Sequence, residues 1–303
     1  MEITPKSVYV IVVTYRGRQW YDMCFRSLGE SKCAVHTVVI DNASGDGSAD
    51  YIRENYPDIH LIESDSNLGF GNANNLGIKY ALEQGCDYVF LLNQDAWIEP
   101  DAIEKLILVH QQHPEYGILS PMHMTKEKDH LNFLLDDGNR NYELLSDLFF
   151  GTVKDVYDIE YVNAAGWLIS RDTLMTIGGF CPIIFHYGED DDYLHRMKYH
   201  GIKVGICPHA RMVHDSKNRL GEAIRLFKKA NEERIDEYLD INKNINLSVF
   251  KRRFLFKGIA SLFKWKRKQA EECFKRFKFL ANKGEDIERC RSQHMIKQSN
   301  WLV

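Results

Sequence analysis

Asp95 ends the short apolar run Tyr88-Val-Phe-Leu-Leu92 and is followed by Ala96-Trp97 and then Glu99-Pro100. A carboxylate at such a place can take a cation or a charged substrate group, or it can do no more than cap the turn that follows. Asp41 ends a second apolar run and enters the turn formers Asn42-Ala43-Ser44-Gly45. There it can accept a hydrogen bond from the imide of a pyrimidine base, or merely shape the turn. Glu189-Asp190-Asp191-Asp192 sets adjacent carboxylates at a helix start, where they complement the helix dipole and let Asp192 pair with Arg196 at i, i+4. Adjacent acids also repel, which raises the pKa of one of them and suits a general base. His214 follows the last apolar run and has the chemistry of a metal ligand, although a lone histidine is more often structural. Gly69-x-Gly71-x-x-Asn74 is a near miss to the dinucleotide fingerprint, with its third glycine absent. The acid that fingerprint requires about 20 residues on is also missing, since Asp95 lies further away, so a dehydrogenase is disfavoured.

These residues sit where strands should end. Ser7 to Tyr15 is nearly all β-branched or aromatic, Val35 to Ile40 and Ile59 to Glu63 read as further strands, and Tyr88 to Leu92 is apolar on both faces, as a central parallel strand is. Helical spacing takes over after Arg16-Gly17-Arg18 as far as Leu28, Ser48 can cap a helix through Tyr56, the stretch Asn67 to Asn75 opens another to about Glu83, and a fourth runs from about Asp101 to His113. Strand and helix alternate four times with short connections, which calls for a parallel, right-handed α/β sheet. In open α/β sheets the ligand crevice lies at the carboxyl ends of the strands, where Asp41 and Asp95 fall. From Met124 to Tyr161 the pattern breaks into polar and aromatic residues, predicting loops and a short hairpin that line a substrate groove. Tyr161 to Ser170 is another strand, a helix opens at Glu189 and stops at Gly201, and Lys203 to Ile206 is the last strand.

At 303 residues, with 44% hydrophobic and 27% charged residues, the chain affords a large core and is not of the disordered class. The formal net charge of −4 speaks against a nucleic-acid binder. Neither a signal peptide nor a membrane-spanning run is legible, which predicts a cytoplasmic location. The seven scattered cysteines lack a Cys-x-x-Cys pair and predict reduced, buried thiols rather than disulfides or a zinc site. Beyond about Leu220 the character changes to charged helices, so residues 1–220 and 221–303 are read as two regions. Between 251 and 278 lysine and arginine face only Glu271 and Glu272, and Leu255, Ile259, Leu262, Phe263, Ala270, Cys273, Phe277 and Leu280 form one apolar stripe at helical spacing. Such a helix can lie on an anionic membrane; the alternative is that the stripe packs on the catalytic domain or on a second copy of the chain, as in a homodimer.

Taken in order and spacing, Val8 to Asp215 resembles the family 2 inverting glycosyltransferases of GT-A fold, in their bacterial rhamnosyltransferase-like branch. The resemblance implies a Rossmann-like, mostly parallel central sheet flanked by helices, with the C-terminal helices as an appendage. It implies that Thr14, Tyr15 and Arg16 contact the nucleotide and that Asp41 binds the base. The glycine- and asparagine-rich helix entry matches Asn67, Gly69, Gly71, Asn75 and Gly77. The family's metal and diphosphate motif falls on Asn93-Gln94-Asp95, and its metal histidine on His214. Its catalytic motif falls on Glu189, Asp190 and Asp192, with Asp190 as base and Arg196 as the arginine that follows. Asn93 stands where the family commonly has an acid, so the site should hold Mn2+ or Mg2+ less tightly and lean more on the diphosphate. The implied reaction moves a sugar from a dTDP- or UDP-linked donor to a hydroxyl of a bacterial cell-surface glycan, acceptors of the family often being carried on a lipid at the inner face of the membrane. The rival reading is a glycan- or nucleotide-binding scaffold that keeps the fold with little turnover.

Overall fold

A computed structural model describes residues 6–131, 141–215, 234–298 and 300–302. Its frame is one sheet. β1 (Val8–Thr14), β2 (His36–Asp41), β3 (His60–Glu63) and β4 (Tyr88–Asn93) run parallel in the order β3-β2-β1-β4. Their side chains alternate between two cores. Tyr9 and Ile11 face one, with Ala73, Ile78 and Ala81 of α3 (Phe70–Glu83); Val8, Val10 and Val12 face the other, with Tyr21, Cys24, Phe25 and Leu28 of α1 (Arg18–Gly29). A strand covered on both sides needs apolar residues at every position, which is why these runs read so clearly in the sequence. Gly77 lets α3 approach closely, because a Cβ there would lie 2.5 Å from Ile11 Cγ2.

The other half of the sheet is mixed. β6 (Tyr116–Met124) and β9 (Lys203–His214) are parallel to each other, while β8 (Gly166–Ser170) runs antiparallel between β4 and β6. The short β5 (Ala96–Ile98) pairs antiparallel with the far end of β9. Two strands are thus added to the sequence reading, and its last strand is longer than Lys203 to Ile206. β6 hides behind Pro121, which sequence rules bar from a central strand; here the proline falls at a register shift against β9. β5 hides in what reads as the turn after Asp95.

Helices α2 (Ser48–Asn55), α4 (Ala102–Gln112), α6 (Arg171–Ile177) and α7 (Glu189–Tyr199) complete the region that holds the sheet. Between Met124 and Tyr161 the described residues contain a tight Met124–Leu131 bridge, the helix α5 (Tyr142–Phe150) and the two-residue strand β7 (Tyr157–Asp158), so the region is less irregular than its composition suggests. The expected boundary near Leu220 lies outside the described residues. Past it the described residues form α8 (Ile235–Leu239), α9 (Leu247–Phe263) and α10 (Arg267–His294), a helical region as expected.

The predicted single apolar stripe is divided. α9 and α10 form a hairpin, and Ala270, Cys273 and Leu280 turn inward; Leu280 joins Leu239, Ile287 and Cys290 in a small core shared with Cys181 and Ile184, which precede α7. Leu262 and Phe263, by contrast, point into solvent at the hairpin turn, with Trp265 beside them. Periodicity alone could not separate these two uses, because the stripe crosses the turn. The chain end returns to the main core, where Leu302 is buried.

Candidate active site

The carboxyl ends of β1, β2 and β4 lie side by side. Asp41, 5% exposed, accepts from Thr14 Oγ1 at 3.3 Å and from the Ser44 N–H at 3.1 Å. Ser44 in turn holds Arg16, accepting its N–H on Oγ at 3.1 Å and its Nε–H on the carbonyl at 3.2 Å. Arg16 sits at φ 50°, Ala43 at 59° and Tyr187 at 62°, left-handed conformations that cost energy in residues with a Cβ and that collect at ligand sites. Asn42 bridges to Asn67 and receives the Leu68 N–H, so the β2 loop and the entry of α3 are one hydrogen-bonded unit. Gly69 is required there twice over: its φ is +79°, and a Cβ would fall 1.9 Å from the Phe185 carbonyl oxygen. Gly71 meets Phe180 in the same way, at 2.8 Å.

Asn93, Asp95 and His214 come together although His214 is far away in the chain. β5 and β9 pair through Ala96 and His214, and the Asp215 N–H donates to the Asp95 carbonyl at 2.9 Å. His214 Nε2 lies 3.6 Å from Asp95 Oδ1 and 3.4 Å from Asn93 Nδ2. Asp95 is fully buried and His214 nearly so. A carboxylate, an imidazole and an amide at one point form a donor set that fits a divalent cation preferring oxygen with some nitrogen. Behind them stands His123 of β6, its ring 6.1 Å from that of His214. Burial, aided by His214, pushes the His123 imidazole down to about 3, so it backs the site as a neutral group.

Asp190 lies at the start of α7. Its Oδ2 accepts the Ala164 N–H at 3.1 Å, while Oδ1 has no hydrogen-bond partner among the described residues. Burial, and then the neighbouring Glu189, raise this carboxyl well above the usual aspartate range, against the pull of the Ala164 bond. Glu189 is pushed up to about 7, chiefly by burial. The same short segment reaches the cation motif, since the Ala165 carbonyl accepts the Asn93 N–H at 3.0 Å.

The helix face decides what the remaining candidates do. Asp192 is 1% exposed and turned inward, its Oδ2 accepting from Arg196 Nε at 3.0 Å in the i, i+4 pair that the spacing predicts. Asn75 uses both ends of its amide on Phe180, accepting its N–H at 2.8 Å and donating to its carbonyl at 2.9 Å. It therefore fixes the loop that leads to α7 instead of offering a free amide to the crevice. Two residues went unread in the sequence. Gln94 clasps Tyr15, accepting its N–H at 2.9 Å and donating to its carbonyl at 3.2 Å, and so ties the β1 loop to the cation motif. Asp215 accepts from Trp20 Nε1 and from Lys126 Nζ, each at 3.2 Å. Alternation within Asn93-Gln94-Asp95 could have pointed to Gln94; nothing local singles out Asp215.

Residues 9–177 match the sequence profile of glycosyl transferase family 2, more than half of the chain, and the chain belongs to that family. Among curated relatives it is 26% identical over 210 residues to the low-salt glycan biosynthesis hexosyltransferase Agl10 of Haloferax volcanii, covering 68% of this chain and 66% of that protein. It is 24% identical over 209 residues to the dTDP-rhamnosyl transferase RfbF of Shigella flexneri, covering 69% of each. The chain thus spans about two thirds of these relatives' own length. Among solved structures, the mannosyltransferase PcManGT from Pyrobaculum calidifontis, in complex with GDP-Man and Mn2+, superposes with a TM-score of 0.58 at 18% identity, covering 99% of this chain and 85% of that one. S. aureus TarS 1-349 superposes with a TM-score of 0.53 at 14% identity, covering 79% and 67%. At such identity these two bear on the fold alone, which is α/β of the GT-A kind.

Proposed function

We propose that this protein transfers a sugar, with inversion, from a dTDP- or UDP-linked donor to a hydroxyl of a lipid-linked glycan. The observation that carries this reading is the 164–165 segment, whose backbone holds Asp190 on one side and Asn93 of the cation motif on the other. It sets a base beside the place where a diphosphate would leave. Thr14, Tyr15, Arg16 and Asp41 form the nucleotide end, with Asn67, Gly69 and Gly71 shaping its wall. Asp95 and His214, with Asn93, would hold Mn2+ or Mg2+, which when bound neutralises charge on the departing diphosphate. Asp190 Oδ1 takes the acceptor's proton as its oxygen bonds to the anomeric carbon, and the bond to the diphosphate oxygen breaks on the opposite face. Arg196 and Asp192 hold α7 so that Asp190 keeps its place. The dTDP-rhamnosyl name of one relative supports the donor class.

Substitution at the cation motif tests the reading. Asp95→Ala is expected to remove divalent-dependent donor binding in calorimetric titrations, and Asn93→Asp to tighten it by adding a charge. If manganese alters donor affinity in neither the wild type nor Asn93→Asp, Asp95 is structural. Donor hydrolysis decides the scaffold reading, which requires binding without nucleotide release.

The lipid-linked acceptor places the working enzyme against the inner face of the membrane, as a peripheral protein. Among the described residues no helix is long and apolar enough to cross a bilayer. The α9–α10 turn offers another means: Phe263 is 84% and Trp265 81% exposed, and from residue 241 to 270 the chain carries lysines and arginines but no acid. Aromatic side chains suit the headgroup region, and each basic residue near an anionic surface contributes about 1 kcal/mol. The full chain is therefore expected to float with anionic vesicles at low salt. Phe263→Ser with Trp265→Ser should abolish flotation without changing the melting temperature. Equal recovery with zwitterionic vesicles, or unchanged flotation of the double variant, would remove the turn from membrane binding.

A further inference from the structure

On the inward side of α7, away from Asp190, Cys181, Asp192 and His294 each direct a ligand atom into one buried spot. These three atoms lie within 4.8 Å of one another, and the residues are all about 1% exposed. Cys290 stands one helical turn before His294 on the same face of α10 and is buried in the same small core as Cys181.

The spot is short of partners. Asp192 Oδ1 and both ring nitrogens of His294 are buried without a hydrogen bond among the described residues, although His294 Nδ1 comes within 3.5 Å of Asp192 Oδ1. Buried polar atoms are nearly always paired, and a bound ion is among the few physical accounts of several unpaired ones in one place.

We propose that Cys181, Cys290, Asp192 and His294 form a structural zinc site that fastens α10 to α7. Two sulfurs, an imidazole nitrogen and a carboxylate oxygen suit tetrahedral zinc better than the hard cations that favour all-oxygen sites. Ligand atoms of a tetrahedral site stand about 3.3–3.8 Å apart, so Cys181, Asp192 and His294 close by a contraction of roughly 1 Å, and the Cys290 thiol, in the same core as Cys181, turns in as the fourth ligand. Binding releases the two thiol protons to solvent. Charge then balances: zinc and the buried Arg196 guanidinium are offset by two thiolates and the Asp192 carboxylate. Cysteines that looked scattered in the sequence are brought together only by the packing of the C-terminal helix. The site does not depend on the transfer reading, and it is separate from the cation motif at Asp95.

The test is metal content together with cobalt substitution, neither of which reads activity. The full chain, expressed with zinc and passed through gel filtration, is expected to retain about one equivalent, as a closed four-ligand site does. In the cobalt-substituted protein a thiolate-to-cobalt charge-transfer band should appear, which a site of Asp95 and His214 cannot give. Asp95→Ala should keep the band, Cys290→Ser should weaken it and Cys181→Ser should weaken it and lower zinc retention. If Cys181→Ser does not fold, His294→Gln takes its place, with the same loss of zinc expected. The proposal is overturned by a wild-type protein that holds no zinc and shows no band, by full zinc retention in Cys181→Ser or His294→Gln, or by a Cys181–Cys290 disulfide in the mass spectrum.

Discussion

Asp190→Asn is expected to abolish transfer while leaving donor affinity within a few-fold of wild type, because the base acts on the acceptor and not on the nucleotide. Calorimetric donor titration beside a transfer assay measures both. General bases contribute about 10²- to 10⁴-fold, so retention of more than roughly a tenth of the rate excludes Asp190 from that role. The pH profile adds a second reading. The base works only when ionised, and burial followed by the Glu189 charge holds its proton to higher pH than an ordinary aspartate does. Transfer should therefore rise with pH, with its acid limb above the usual aspartate range. Glu189, itself pushed up to about 7, titrates in the same region, so the limb belongs to the pair. Glu189→Gln removes the like charge and should move the limb to lower pH; an unmoved limb would mean that a different group controls it.

The parts of the fold legible in the sequence are those fixed by local pattern. β1, β2 and β4 are covered on both faces, which makes their runs continuous and their ends sharp, and Asp41 and Asp95 were found because they stand at those ends. The Asp192–Arg196 pair was legible because helical spacing brings i and i+4 together. What stayed hidden depends on distant packing. Gln94 finds Tyr15, and Asn75 finds Phe180, only once the sheet and α7 are in place. β6 was masked by Pro121, whose cost is absorbed at a break in register. The C-terminal stripe failed as a single surface for the same reason: hydrophobic spacing tells that a face will be covered, but not by what. Its inner part found Cys181 and Ile184, and its outer part found solvent.

Arg196→Ala is expected to destabilise the protein by about 3–5 kcal/mol, the cost of stripping one partner from a buried ion pair. Arg196 is 1% exposed and all of its charge is used. Nε donates to Asp192 Oδ2 at 3.0 Å, while the terminal nitrogens donate to the Ile177 and Gly179 carbonyls, each at 2.8 Å. Its guanidinium lies 4.6 Å from the Tyr193 ring centre and 5.3 Å from that of Trp301. Alanine would leave a buried carboxylate unpaired, two carbonyls without donors and a cavity between α7 and the chain end. Total stabilities of about 5–15 kcal/mol make this a large share. Lysine keeps the charge but not the planar fork, and cannot reach all three acceptors in that geometry, so Arg196→Lys should fall between alanine and wild type. Urea unfolding at fixed zinc concentration measures the series. Arg196 acts on the reaction only by holding α7, so at temperatures where Arg196→Lys stays folded, kcat should fall more than donor affinity does. A loss below about 1 kcal/mol for Arg196→Ala would mean that the pair is dispensable and that α7 is held by its apolar face alone.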